Sequence, residues 1–388
     1  MKIGINASFL RKPNTGIGQV TLNFLRELSG VANKKDEFIL YLEEELPKGL
    51  ELPSGFKCEA FLPSLYRRDD LIRKIWWEKY ALPKRAKKDG CEVFLSLYQC
   101  PTVMPKSIKH IVLVHDIIPK LFPEYLNNLR KKIYQNMIEA AIKKADRLIA
   151  VSKHTEKDII NHLGIPGDKI AVDYIDVDRI YKKKPSAEAR KKVLGKYKLK
   201  PGYIFAGGGM ELRKNIGSVI WAYKMLLDRN SREHFIHDFP RLAIFGHLMP
   251  ELAPLVTDAE NLVAELNLKK HVELLGSVPQ DSLPALYAES LFFIYPSLYE
   301  GFGMPVLEAM NQEKPVIASK TSSLPEVGGD GVLYCKPNDV ADVAMVMKNL
   351  IMNHELRRSL SERAKERAKK FSWKVFTKKV LNIIESVE

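Results

Sequence analysis

Two glutamates, Glu300 and Glu308, flank a turn that reads Gly301-Phe302-Gly303. The run Leu291 to Tyr295 before the turn is apolar and reads as a buried strand. Glycines mark a tight turn, because they alone enter left-handed conformations freely. Pro305 falls where a helix can begin without losing a needed N–H. A strand, a glycine turn and a helix start leave N–H groups and the positive end of a helix dipole aimed at one spot. That construction suits an anion, most simply a phosphate. Five helical residues advance about 7 Å, roughly the length of a diphosphate. One carboxylate can therefore stand at each end of a nucleotide diphosphate. Glu308 would accept from a ribose diol, and Glu300 would face the group on the far phosphate. The plainer alternative is that both are ordinary helix-start glutamates, favoured beside the dipole.

Other residues are placed for related chemistry. Gly207-Gly208-Gly209 end a predicted strand, and Arg213-Lys214-Asn215 then open a helix. Cations beside a glycine turn can neutralise a diphosphate, or can simply be solvated. His115-Asp116 closes the strand Ile108 to Val114, and the carboxyl end of a parallel strand is where open α/β sheets bind ligands. The His115 imidazole could donate to a sugar hydroxyl or steady a transferring group; alone, it would read as a buried, satisfied histidine. Asp116 reads equally as the cap of the turn before Pro119. Near the N-terminus, Asn14-Thr15-Gly16-Ile17-Gly18 precedes a helical pattern. The third glycine of a dinucleotide fingerprint is missing there and the loop is too long, which excludes the standard nicotinamide motif.

Thirteen short strand patterns alternate with helical ones, the layout of a parallel α/β protein. At 388 residues the chain is long enough for two or three domains. The lysine-dense stretch Tyr181 to Lys200 reads as a linker, which puts one domain over 1–195 and a second over 196–371. Leu126, Leu129, Ile133, Met137 and Ala141 make a helical stripe expected in the core. Ser152 reads as an N-cap. Phe376, Val380, Ile383 and Ile384 make a final amphipathic helix within 372–388.

The run from Glu300 to Glu308, with Gly-Phe-Gly inside and Pro-Val-Leu-Glu-Ala-Met following, resembles the signature of glycosyltransferase family 4. The similarity extends from Lys2 to about Trp373. It implies the GT-B fold, two Rossmann-like α/β domains facing a central cleft, with the terminal helix crossing back onto the first. It implies a retaining transferase that uses a nucleotide-sugar donor and no metal or other cofactor. By resemblance, Lys214 grips the donor phosphates and Gly16 approaches them. Gly301, Phe302 and Gly303 form the donor turn, Glu308 holds the ribose, and Glu300 orients the sugar. His115 matches the family's cleft histidine, and Ser322 to Val327 a second turn around the donor. An arginine usual in the family is absent at Gly208, and Arg213 is the candidate replacement. His-Asp-Ile-Ile-Pro together with Tyr-Pro-Ser-Leu-Tyr-Glu-Gly-Phe-Gly is similar to bacterial surface-polysaccharide mannosyltransferases, which use GDP-mannose. A UDP-hexose donor and a GT-B sugar-nucleotide epimerase are the alternatives.

Composition agrees with this reading and limits others. The net charge of +14 points to an anionic partner. No helix-turn-helix, zinc or RRM signature accompanies it, so no nucleic-acid partner is expected. Cys58, Cys91, Cys100 and Cys335 lack paired or metal-ligand spacing, as expected of reduced thiols in the cytoplasm. Between Arg67 and Lys88 there are nine basic and three acidic residues, and Ile72, Ile75, Trp76, Lys79 and Tyr80 share one helical face. That segment reads either as a peripheral contact with the anionic inner face of the cytoplasmic membrane or as a helix packed on the sheet through its tryptophans. A lipid-linked saccharide acceptor would fit the first.

Overall fold

The strand patterns become two separate parallel sheets. The computed structural model describes residues 1–33, 35–46, 56–60, 70–249, 252 and 254–387. In the first unit the strands are β1 (Lys2–Asn6), β2 (Glu37–Leu42), β3 (Phe56–Ala60), β4 (Val93–Ser96), β5 (Lys109–Val114), β6 (Arg147–Ala150) and β7 (Ile170–Val172). They pair in the order β3-β2-β1-β4-β5-β6-β7, all parallel. Most are apolar on both faces, as a parallel sheet covered by helices requires. The helix Gly16–Val31, capped by the Thr15 hydroxyl, packs against the terminal helix Trp373–Ser386, with the Phe24 and Phe376 rings 6.1 Å apart.

The second unit holds β8 (Tyr203–Gly207), β9 (Leu242–Phe245), β10 (Val272–Gly276), β11 (Ser290–Tyr295), β12 (Val316–Ser319) and β13 (Leu333–Cys335). Their order is β10-β9-β8-β11-β12-β13, again all parallel. Ile220, Tyr223, Met347 and Leu350 of the helices Ile216–Glu233 and Val340–Met352 close the core over one face of the sheet. In each unit the strand order reverses once, between β1 and β4 and between β8 and β11. Such reversals open a crevice at the carboxyl ends of the strands.

The compact units are Met1–Asp176 with Phe371–Glu388, and Val177–Lys370. The stretch expected to be a linker is therefore structured and belongs to the second unit. Ala187–Lys196 is a helix capped by Ser186, and Tyr181, Leu194 and Leu199 are buried. Its lysines line the solvated face and hide the short apolar period.

Two other expectations also fail. In the helix Leu129–Lys144 the buried residues are Gln135, Ile138, Ala141 and Ile142, while Leu129 and Ile133 are exposed. Between Asp70 and Lys88 the turns Ile75–Ala81 widen to π-helix, so neighbouring Trp77 and Glu78 both point inward. A 100° step per residue does not survive that widening. Trp77, not Trp76, is the anchor, and its indole donates to Ser8 Oγ at 2.9 Å. Arg67, Arg68 and Asp69 of that segment lie outside the described residues.

Candidate active site

The carboxyl-end crevice of the second sheet is built from β8, β11 and the turns that follow them. At the end of β8 the glycines Gly207, Gly208 and Gly209 all have positive φ. A Cβ on Gly207 would stand 2.1 Å from the Phe245 carbonyl oxygen, so the chain can make this close turn only without a side chain. At Gly208 the φ of +100° disfavours any side chain, so the arginine expected there by resemblance would be strained. The chain then runs through a short 3₁₀ turn, Leu212–Lys214, and reverses at Asn215, which sits at φ +59°. The Asn215 amide donates to the carbonyls of Pro296 and Pro337, tying this turn to the end of β11. Asparagine tolerates the left-handed region, and here its side chain carries the connection.

This folding places two cations on one carboxylate. Glu300 Oε1 accepts from Lys214 Nζ at 2.8 Å, Arg213 Nη1 at 2.9 Å, the Tyr295 hydroxyl at 2.8 Å and Ser297 Oγ at 2.7 Å. Lys214 Nζ also lies 2.5 Å from the Tyr295 hydroxyl and 5.1 Å from its ring centroid. Lys214, Glu300 and Tyr295 are all buried. Burial by itself would raise the Glu300 carboxyl, but the adjacent Lys214 and Arg213 outweigh it and hold the group below the usual carboxylate range. Burial lowers the Lys214 ammonium, opposed by Glu300. The result is a buried cluster with one cation in excess, whose cations can exchange a protein carboxylate for a diphosphate.

The turn after Glu300 is held from behind. Ser322 Oγ accepts the Glu300 N–H at 2.9 Å, and Ser323 Oγ donates to the carbonyls of Glu300 and Phe302 at 2.8 Å. Of the two glycines, Gly303 alone has positive φ, +106°, and it caps the helix Met304–Asn311. Phe302 is buried and anchors the turn. Pro305 has no N–H, and Val306 and Leu307 both bond back to the Gly303 carbonyl. The donors left at this helix mouth are those of Gly303 and Met304, fewer than the sequence suggests. Gly303→Ala is expected to lower stability by about 1–3 kcal/mol, from left-handed backbone strain. Its Cβ would also meet Leu324 Cδ2 at 2.5 Å. Thermal unfolding reads this directly; a melting temperature equal to that of the wild type would mean the turn relaxes freely.

Glu308 lies within the helix and takes different partners. Its Oε2 accepts from the Tyr287 hydroxyl at 2.9 Å. Burial raises its carboxyl to about 7, moderated by Tyr287, Lys214 and Tyr181 and reinforced by Asp178. The two glutamates are thus bound differently, one ionised in a cation cluster and one poised near neutrality. Both lie within the field of Lys214.

In the first unit the other candidates follow the carboxyl ends of β1, β5 and β6. His115 Nε2 stands 2.9 Å from the Leu97 carbonyl, which can only accept, so the ring hydrogen is committed there. Burial lowers this imidazole, so it is neutral and offers Nδ1 as an acceptor. The ring can therefore accept a hydrogen bond but has no N–H left to donate. Asp116 Oδ1 accepts the Ile118 N–H at 2.9 Å, the turn-capping role. Ser152 Oγ likewise caps its helix through Thr155 N–H. Gly16 is exposed at a helix start with open space around a Cβ; Gly18 is the sterically required glycine, its Cβ falling 2.0 Å from the Lys12 carbonyl oxygen.

Beside these residues lies a cavity of about 130 Å³ lined by Phe9, Tyr98, Gln99, Asp116, Tyr134 and Gln135, among others. Behind it the buried Glu78 accepts from Tyr98 at 2.7 Å and Tyr134 at 2.6 Å, fixing both hydroxyls. Burial pushes the Glu78 carboxyl up to about 7. Nothing in the one-dimensional pattern marks Glu78, because the π-turn alone brings it inward.

The profile described as Glycosyltransferase Family 4 matches residues 16–176, and that described as Glycosyl transferases group 1 matches residues 187–367. The chain is 31% identical to the O-antigen chain mannosyltransferase B of Escherichia coli, over 98% of this chain and 99% of that one. It is 25% identical to the O-antigen chain mannosyltransferase RfbU of Salmonella typhimurium, covering 89% of this chain and 90% of the relative. Among solved structures it superimposes on WaaG, a glycosyltransferase involved in lipopolysaccharide biosynthesis, with a TM-score of 0.74 at 15% identity over 99% of both chains. It also superimposes on HepE from Anabaena, solved with UDP and glucose, with a TM-score of 0.72 at 16% identity over 99% of both chains.

Proposed function

The chain belongs to glycosyltransferase family 4, and from that premise we propose that it moves mannose from GDP-mannose to a saccharide acceptor in surface-polysaccharide synthesis, with retention at the anomeric carbon. The observation that carries the reading is the buried cluster at Glu300, where Lys214 and Arg213 stand ready to exchange their carboxylate for a diphosphate. In this mechanism the bond from the sugar C1 to the β-phosphate oxygen breaks, and an acceptor hydroxyl oxygen bonds to C1 on the same face. The hydroxyl proton passes to the departing phosphate. Negative charge grows on that phosphate, and Lys214, Arg213 and the N–H groups of Gly303 and Met304 stabilise it electrostatically. Glu308 accepts from the ribose diol and Glu300 orients the sugar. His115 Nδ1 accepts from a substrate hydroxyl. The cavity beside Tyr98 and Tyr134 has aromatic faces for the C–H groups of an acceptor sugar.

Thermal shift with GDP, UDP and ADP sugars tests the donor, since a ligand that binds the native state raises the melting temperature by mass action. GDP-mannose is expected to stabilise most. A shift with UDP-glucose alone would overturn the mannose reading. Product formed from the donor without any acceptor would indicate an epimerase.

The acceptor class also bears on the surface of the first unit. Among the described residues no helix is long and apolar enough to cross a membrane. Leu129 is 72% exposed and Ile133 44%, with Arg130, Lys131 and Lys132 between them. Exposed Ile72 and Tyr80 lie on the segment whose Lys74 ammonium sits 5.9 Å from the Tyr134 ring centroid. Apolar tips ringed by cations suit an anionic lipid surface. Leu129→Asp with Ile133→Asp is expected to reduce co-sedimentation with phosphatidylglycerol vesicles at least about fivefold, each removing roughly 1 kcal/mol or more of interfacial burial. Equal sedimentation of both proteins, or equal binding to neutral vesicles, would remove this contact.

A further inference from the structure

The Glu308 carboxylate is oriented by a tyrosine from a neighbouring helix. Tyr287 lies on the helix Leu283–Glu289, which packs against the glutamate helix Met304–Asn311. Its ring is fully buried and meets four others edge-on, those of Phe205, Phe245, Phe293 and Tyr181. A ring enclosed this way has one rotamer, so its hydroxyl is fixed in space. That hydroxyl donates to Glu308 Oε2 at 2.9 Å. Tyr181 faces the same carboxyl and donates to Gln280 Oε1. Its main chain is held by Gln312, whose amide donates to the Tyr181 and Lys183 carbonyls. Two tyrosines, Tyr287 and Tyr181, thus stand against this one carboxyl.

We propose that Tyr287 is a positioning residue for the donor: it fixes Glu308 and keeps it able to accept a ribose diol at neutral pH. This rests on the reading of Glu308 as the ribose contact. A vicinal diol donates two hydrogen bonds, and only an ionised carboxylate can accept both. Burial opposes ionisation, and so does Asp178 nearby. Tyr287, Tyr181 and the Lys214 ammonium favour it. The free carboxyl is therefore raised to about 7, so its protonation changes across neutral pH. Removing the Tyr287 hydroxyl removes one favourable contribution and moves protonation to higher pH. Donor affinity should then fall at neutral pH and recover in alkali, which a simple packing defect would not do.

Calorimetric titration of wild type and Tyr287→Phe with GDP and with 2′,3′-dideoxy-GDP, from pH 6 to pH 9, tests this. Both nucleotides carry the same titrating phosphate, so their difference isolates the diol. At pH 7 the variant is expected to bind GDP about tenfold more weakly, the scale of one hydrogen bond to a charged group. The gap should close to less than about threefold at pH 9, and dideoxy-GDP should bind both proteins equally. Equal weakening at every pH, or an equal loss for dideoxy-GDP, would overturn the proposal. If the variant fails to fold, the wild type alone decides. Its preference for GDP over dideoxy-GDP must shrink as pH falls below 7, and a constant preference overturns the idea. The series is repeated with UDP and dideoxy-UDP. If the wild type binds neither diphosphate, the donor-site reading fails first and this inference with it.

Discussion

Lys214→Ala is expected to lower kcat by roughly a hundred- to a thousandfold, the loss typical when one preorganised charge stabiliser is removed. The ammonium is buried between Glu300 Oε1 at 2.8 Å and the Tyr295 hydroxyl at 2.5 Å. Its burial keeps bulk solvent from supplying a substitute donor. The proposed reaction concentrates charge on the departing phosphate, so the interaction strengthens as the transition state forms. Binding of GDP should weaken as well, because the ground-state diphosphate already carries charge. Lys214→Arg is not expected to rescue the enzyme. A planar fork cannot replace a compact ammonium seated over the Tyr295 ring. Steady-state rates with GDP-mannose and a mannoside acceptor, together with GDP calorimetry, check this. A kcat within threefold of wild type would remove Lys214 from the mechanism.

Glu300→Ala is expected to move nucleotide affinity in the opposite direction. It leaves Lys214 and Arg213 buried with their shared anion gone, and breaking a buried pair in this way costs about 3–5 kcal/mol of stability. The side chains of Lys214 and Arg213 are only 8% and 13% exposed, so water cannot easily compensate. A diphosphate can. GDP should therefore bind the variant at least as tightly as it binds wild type and restore much of the lost melting temperature by mass action. Turnover should still fall, because the group assigned to orient the sugar is absent. Weaker GDP binding by Glu300→Ala would mean that this carboxylate contacts the donor directly more than it competes with it. The two variants form a pair: one removes charge the phosphate needs, the other removes its rival.

Much of this was legible in one dimension. The thirteen strands, the glycine turn at Gly303 and the basic pair Arg213-Lys214 each follow from local preference: apolar runs for buried parallel strands, positive φ for glycine, and charge at a helix start. Family membership follows from the same short stretches. The bonding within the site does not. Glu300 and Lys214 are far apart in sequence, and their 2.8 Å contact exists because β8 and β11 are neighbours at the point where strand order reverses. Tyr295, Ser297 and Asn215 carry no mark of their roles until that pairing is made. Tyr287 reads as one more apolar residue of a short helix. The inward turn of Glu78 depends on a local π-helix, which no hydrophobic period encodes. Local sequence set the elements and the types of charge available, since those depend on each residue and its near neighbours. Only the tertiary structure decided which charges meet and which carboxyl stays near neutrality, because burial and partners come from strands brought together across long stretches of chain.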